Sequence, residues 1–362
     1  MSEPISRRHA LGVTSAFFAA SCVENKQLSP SIALGEVKDT TGSWSPGVAL
    51  PFAAQEIYPC AHNNALHLAG GFIAENGRIT GPTSAHRAWK PDSVSWAEGV
   101  GLPTPRHHPQ LISWKGSLFA FAGFESPSED AVWRMQSTGW RLLGHIFSPE
   151  GPSITVEPAW ADAPELPEPC GEAVMGVTGD DVLHLAGGRT PNGEQNADWI
   201  DHGDSDHHFV LTEINGSWER AAPCLSKRNS AAGDVIDGNL HIVGGRTVND
   251  GNVTSHEVYD YREDRWRTAA PMPKAQGGLA AAAVGEKLYA FGGEYFDNGG
   301  GVYPESWVYS VTTDTWDALP NMPNPRHGLG AVALDNRIYV IGGALEAGGN
   351  QTSAIVDIFD PD

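Results

Sequence analysis

Between Pro323 and Gly343 the chain reads PNPRHGLGAVALDNRIYVIGG. Small and apolar residues alternate from Gly328 to Leu334, Asp335-Asn336 interrupts them, and a second apolar run ends in Gly342-Gly343. The pattern predicts an inner strand packed on both faces, a two-residue turn and a second strand. Asp and Asn tolerate the positive φ of such a turn, and the glycine pair lets neighbouring backbones approach closely. No long stretch carries clean 3.6-residue periodicity, so the expected class is all-β.

The pattern recurs. Glycine pairs begin at Gly70, Gly187, Gly244, Gly292 and Gly342, and Ala122-Gly123 stands in for a sixth. Three residues before each stands an aromatic or a histidine: His67, Phe119, His184, His241, Tyr289 and Tyr339. The register makes the three histidines packing residues within their copies. A tryptophan lies ten residues ahead of several units, with Trp96 before Arg106, Trp218 before Arg228, Trp266 before Gln276 and Trp316 before Arg326. None follows the last glycine pair, yet Trp44 stands ten residues before Ala54. The N-terminal segment is therefore expected to supply the outer strand missing from the last copy, closing a ring without open edges. In copy two, Trp133 and Trp140 keep the seven-residue step of Trp89 and Trp96, and Leu142–Pro158 reads as an insertion. Copy three has the longest loop after its glycine pair, Arg189–His208.

A period near 50 residues, Val258-Tyr259-Asp260-Tyr261 followed by Arg265-Trp266, and Trp307-Val308-Tyr309 followed by Asp314-Thr315-Trp316 together resemble the kelch repeat. The resemblance covers about residues 40–362 and implies a single six-bladed kelch β-propeller over residues 31–362, closed by the N-terminal strand. The 42 Gly and 26 Pro suit such a turn-rich chain. Ahead of it, Ser6-Arg7-Arg8-His9-Ala10-Leu11 and the apolar run to Ala20 resemble a twin-arginine export signal within residues 1–30. That implies a periplasmic or extracellular protein, and Ala19-Ala20-Ser21-Cys22 offers a weak lipoprotein box that would anchor it through Cys22. The net charge of −21 excludes nucleic acid and anionic membrane surfaces as natural partners.

Counting sixteen residues back from each glycine pair gives the residues that line the channel mouth in this topology. The first position reads Ala54, Arg106, Gly171, Arg228, Gln276 and Arg326; the second, Gln55, His107, Glu172, Asn229, Gly277 and His327; the third, Glu56, His108, Ala173, Ser230, Gly278 and Gly328. Arginines on so acidic a chain point to an anionic ligand or to a local counter-charge. The alternative is that Arg106, Arg228 and Arg326 pack structurally against the preceding loop. Glu172 with His107 or His327 suits general acid–base work. Trp199, on the loop of copy three, suits stacking on a sugar ring. Asn196–His208 is rich in Asp and His but meets no established ligand spacing, and reads as a solvated acidic loop. No metal and no cofactor are expected. Cys170 and Cys224 lie in the lead-in loops of adjacent copies, which leaves a disulfide and two free thiols both open.

The chain also resembles exported bacterial kelch proteins that act on sialic acid as mutarotases or epimerases. That resemblance implies an anionic sugar or oligosaccharide bound by Arg106, Arg228, Arg326, Asn229, Gln276, Gln55, Glu56 and Trp199, with Glu172, His107 and His327 as acid and base. The alternatives are a non-catalytic module binding a glycan or a protein, and a uronate polysaccharide lyase using His327, Asn229 and Arg228. A monomer is expected.

Overall fold

The structure, a computed structural model, describes residues 42–144 and 158–361. The expected export signal and Cys22 lie outside the described residues. Regular secondary structure among the described residues is nearly all strand, with three single-turn 3-10 helices at Trp199–Asp201, Asp297–Gly299 and Ala347–Gly349.

Six four-stranded antiparallel sheets, blades 1 to 6, follow one another. Their innermost strands are Cys60–His62, Gln110–Trp114, Val174–Val177, Ala232–Ile236, Ala280–Val284 and Gly330–Leu334. Each of these touches the next in cyclic order, and Gly330–Leu334 touches Cys60–His62, so the six strands surround a channel. Within a blade, neighbouring strands pair antiparallel. In blade 4, Ala232–Ile236 pairs with Asn239–Val243, then come His256–Asp260 and Arg265–Thr268. In blade 6 the three C-terminal strands are joined by Ser43–Pro46, where Trp44 faces Phe359. In blade 2 the insertion falls between the third strand, Gly139–Leu143, and the fourth, Ala159–Asp162. Trp140 and Trp160 therefore occupy those two strands, and Trp133 moves to the mouth.

Two repeated devices join the blades. The first is the glycine pair. Its second N–H bonds the first-position carbonyl of the following blade, as in Gly71 to Arg106 (2.8 Å), Gly245 to Gln276 (2.8 Å) and Gly343 to Ala54 (2.8 Å). At Gly342, φ is +57° and a Cβ would lie 2.5 Å from the Ala54 carbonyl oxygen, so only glycine fits. The second is the outer tryptophan, whose indole N–H donates to a carbonyl just beyond the preceding blade's fourth strand. Trp96 bonds Val48, Trp160 Val100, Trp218 Pro164, Trp266 Ala222, Trp316 Ala270 and Trp44 Pro320, all at 2.8–3.0 Å. Trp44 also packs its ring against Phe291 and Phe359.

The three histidines at the aromatic position are buried packing residues. His67, His184 and His241 each hydrogen-bond a histidine of the third strand, His86, His208 and His256, at 3.0, 2.8 and 3.0 Å. Cys60, Cys170 and Cys224 are free and buried, so the disulfide alternative is excluded. Cys170 belongs to the apolar cluster around Trp114 and Phe121, whereas Cys224 packs with Tyr259 and Trp266. Burial pushes each of the three thiols up to about 12.

Candidate functional site

The residues nearest the channel axis are set by backbone conformation. Glu56, His108, Glu172, Ser230, Gly278 and Gly328 all have φ between +50° and +69°. His108 N–H bonds the Glu56 carbonyl, Glu56 that of Gly328, Gly328 that of Gly278, and Gly278 that of Ser230. These six form a ring at one end of the channel. Below it lies a cavity of about 350 Å³, lined by the innermost strands of all six blades and by Tyr58.

This ring corrects the sequence register in blade 3. Gly123 N–H bonds the carbonyl of Cys170, and Gly171 pairs with Arg189 as His107 pairs with Phe124. Cys170, Gly171 and Glu172 are thus the first, second and third positions, one residue earlier than counted. The hairpin turn between Val177 and Leu183 is one residue longer than its counterparts, and sixteen residues no longer span the unit. The slip moves Glu172 from beside the ring into it.

The first-position side chains turn into the blades. Arg106, Arg228 and Arg326 are at most 2% exposed. Arg326 donates to the carbonyls of Gly342, Val340 and Asn324 and to Asp357 at 2.6 Å. Arg228 is held by Glu257, Ser226 and the Ile242 carbonyl, and Arg106 by Glu125 (2.9 Å), Thr138 and the Ala122 carbonyl. Gln276 does the same work without charge, between the Gly292 carbonyl and the Trp307 indole. The expectation that these four hold a ligand is corrected: their side chains point into the blades, where they bond strand carbonyls, carboxylates and an indole.

The second-position residues are also engaged. Gln55 is buried against the Gly349 carbonyl and Thr352. Asn229 donates to Asp204 at 2.5 Å. With Arg228 inside its blade, the trio expected of a lyase is not assembled. His107 lies between the rings of Phe72 (3.9 Å) and Phe124 (5.0 Å), with Trp133 edge-on. Its Nε2–H donates to the Val132 carbonyl (2.9 Å) and its Nδ1 meets His108 Nδ1 (2.7 Å). Burial and then His108 hold its imidazole well below the usual range. His107 therefore orients His108 and does not itself reach the mouth. His327 is buried, with Nε2 donating to the Glu346 carbonyl and Nδ1 3.4 Å from Glu294.

The hydrogen-bond chain fixes a proton arrangement. A carbonyl accepts from His107 Nε2, so the neutral His107 ring has a bare Nδ1, which accepts from His108 Nδ1–H. His108 Nε2 stands 2.8 Å from the Glu56 carboxylate. Burial pushes the Glu56 carboxyl up, but His108, His327 and Arg246 outweigh it and hold it down at about 2. The pair is thus a carboxylate and an imidazole joined by one hydrogen bond.

Next to His108 in the ring stands Glu172. Burial raises its pKa, but Arg189, His108 and a hydrogen bond from Ser230 outweigh that and lower it. Arg189 approaches it to 3.7 Å, and Arg246 pairs with Glu294 at 2.8 Å. Arg189, Arg246 and Glu294 occupy one position, two residues after the first glycine of each pair, and were missed by counting backwards from it. The signal was present: Gly-Gly-Arg-Thr occurs at 187–190 and again at 244–247. Glycine at two ring positions makes space for them. A Cβ on Gly278 would come 2.8 Å from Arg246 Nη2, and one on Gly328 2.7 Å from Glu56 Oε1. Tyr58 was also missed; burial, then Glu172 and Glu56, raise its phenol well above the usual range. Trp199 is half exposed on its 3-10 turn, with Arg189 near its ring and bonded to its carbonyl.

The loop 196–208 uses its charged groups singly. Asp198 caps the turn, Asp204 takes Asn229 and the Val248 N–H, and His208 pairs with His184. Among the described residues no group of three or more His, Cys, Asp or Glu is placed to hold a metal ion.

The Kelch motif family matches residues 227–273, 277–323 and 325–362, which are blades 4, 5 and 6. The fold is a kelch β-propeller. The chain is similar to Kelch-like protein terF of Aspergillus terreus, 26% identical over 70% of this chain and 54% of that protein. It is also similar to Kelch repeat and BTB domain-containing protein 8 of Xenopus tropicalis, 32% identical over 33% of this chain. It spans about half of the first relative's length and 20% of the second's. The solved structure of YjhT superposes with a TM-score of 0.66 at 15% identity, covering 84% of this chain and 94% of that one, a likeness of fold alone. A kelch propeller serves as a binding or an enzymatic module, and here its polar groups gather at one mouth.

Proposed function

We propose that the channel mouth binds an anionic sugar and catalyses proton transfer at its anomeric centre, as a mutarotase or epimerase does. One observation carries the reading: the Glu56–His108 pair and the carboxylate of Glu172 stand on consecutive ring positions at a mouth flanked by two guanidinium groups. Exchange of anomers requires a proton delivered to the ring oxygen and one taken from the anomeric hydroxyl. Glu56, the more exposed member of its pair, relays the first from His108, which His107 orients behind it; Glu172, held by Arg189 and Ser230, takes the second. The sugar carboxylate lies toward Arg246 and Arg189, the two guanidinium groups beside the ring. Trp199 offers a face for the ring.

The test is a thermal-shift screen of sugar acids beside neutral sugars of the same ring. A bound acid raises the melting temperature by mass action. Arg246→Ala removes that shift, while Arg326→Lys lowers the melting temperature of the free protein. Equal shifts from acid and neutral sugars, or a shift unchanged in Arg246→Ala, would refute the reading.

A further inference from the structure

The loops that follow the glycine pairs form a collar round the mouth, and hydrogen bonds tie those of blades 2 to 6 into one series. Trp133 N–H bonds the Ala197 carbonyl between blades 2 and 3, and Val248 N–H bonds Asp204 between blades 3 and 4. Asn252 bonds the Glu294 carbonyl between blades 4 and 5, and Gly348 N–H bonds Glu294 between blades 5 and 6. Gly349 packs against Ile79 between blades 6 and 1. Such a collar is held in shape before anything binds.

Its outer surface combines two features. Among the described residues nine large hydrophobics are exposed, and six of them stand on this collar: Ile79, Trp199, Ile200, Val248, Phe296 and Leu345. Ile200 is 67% and Phe296 62% exposed. Apolar side chains gathered on one rigid face mark an interaction surface, unlike those scattered singly. Beside them each blade places an exposed carboxylate, Glu75, Glu129, Asp198, Asp250, Asp297 and Glu346, against two exposed cations on these loops, Arg78 and Arg134.

We infer that the collar docks a basic polypeptide segment bearing apolar side chains. The charge selects cations and rejects acidic peptides, nucleic acid and anionic membranes. The aliphatic members, Ile79, Ile200, Val248 and Leu345, are anchors for Leu, Val or aromatic side chains and give a sugar nothing to hydrogen-bond. This surface lies outside the ring of Glu56, His108 and Glu172 and shares Trp199 with the sugar site, so the variants that test it leave Trp199 in place.

The experiment uses the full chain and three fluorescein-labelled twelve-residue peptides: one alternating Lys with Leu and Trp, its Glu-for-Lys counterpart, and a Lys/Ser peptide of equal charge. Anisotropy should show saturable binding of the first, with the other two at least tenfold weaker. Ile200→Ser with Phe296→Ser should weaken it at least tenfold, and Asp250→Asn with Glu346→Gln should weaken it and flatten its salt dependence. Val94→Ser, which removes an exposed apolar side chain between the third and fourth strands of blade 1, should change nothing. Equal binding of the Lys/Ser peptide, preference for the acidic one, or equal loss in Val94→Ser overturns the inference. So does self-association of the free protein that disappears in Phe296→Ser, since a second copy would then be the occupant. Unchanged melting curves establish that the exposed-site variants fold.

Discussion

Acidification should unfold this protein through three buried histidine pairs. His67–His86, His184–His208 and His241–His256 are at most 3% exposed and hydrogen-bonded ring to ring. Each pair works only with neutral rings, because two protons would place two buried charges about 3 Å apart. Burial, followed in His67, His184 and His241 by the partner histidine, lowers those three to about 3. Burial likewise lowers His86, His208 and His256 to about 4. A folded-state pKa below the unfolded value of 6.5 means the unfolded chain binds more protons between about pH 3 and 6.5. Stability is therefore whole above pH 6.5 and falls as pH drops through that window. At pH 5 each histidine gives up about 2 kcal/mol, so a pair gives up about 4 and three pairs about 12, comparable with the whole stability of a typical domain. Urea titrations followed by tryptophan fluorescence at pH 7, 6, 5.5 and 5 should show the midpoint falling steeply below pH 6. Blade 5 has Tyr289 and Ser306 where blade 4 has His241 and His256. The double variant His241→Tyr with His256→Ser should lose about a third of the acid sensitivity. A midpoint independent of pH from 7 to 5, or a double variant with the wild-type slope, would refute the reasoning.

Further outcomes follow from the same geometry. Arg326→Ala strips the partner from buried Asp357 and should cost about 3–5 kcal/mol of stability, read by denaturant titration. Trp44→Phe removes one interblade hydrogen bond and should cost about 1 kcal/mol, and deleting residues 42–47 should abolish cooperative unfolding. Gly278→Ala combines a φ of +69° with a Cβ 2.8 Å from Arg246, so it should weaken sugar binding by displacing that guanidinium. Cys60, Cys170 and Cys224 should resist a thiol reagent in the native state and react on unfolding, since burial holds all three protonated at neutral pH.

The architecture was legible because every blade repeats the same constraints. The glycine pair must approach the next blade's carbonyl, and the outer tryptophan must reach a fixed carbonyl of the preceding one, so both recur at set distances. The mouth was only half legible. Arg106, Arg228 and Arg326 recur because in three blades a buried guanidinium bonds backbone carbonyls and a carboxylate, and recurrence alone does not separate that duty from ligand binding. Glu172 was misplaced by one residue because a longer hairpin turn leaves no mark at the glycine pair itself. His108 and Glu56 were in view, but their prominence depends on a left-handed backbone that turns them toward the axis, and no side-chain pattern encodes that. Arg189 and Arg246 were readable from the doubled Gly-Gly-Arg-Thr, which the backward count passed over.

The most direct measurement is exchange spectroscopy by NMR on the anomers of a sugar acid that raises the melting temperature. Wild-type protein should speed interconversion, and Glu172→Gln and His108→Asn should abolish that acceleration while the thermal shift persists. Unaccelerated exchange despite tight binding, or full activity in Glu172→Gln, would contradict an acid–base site at the channel mouth.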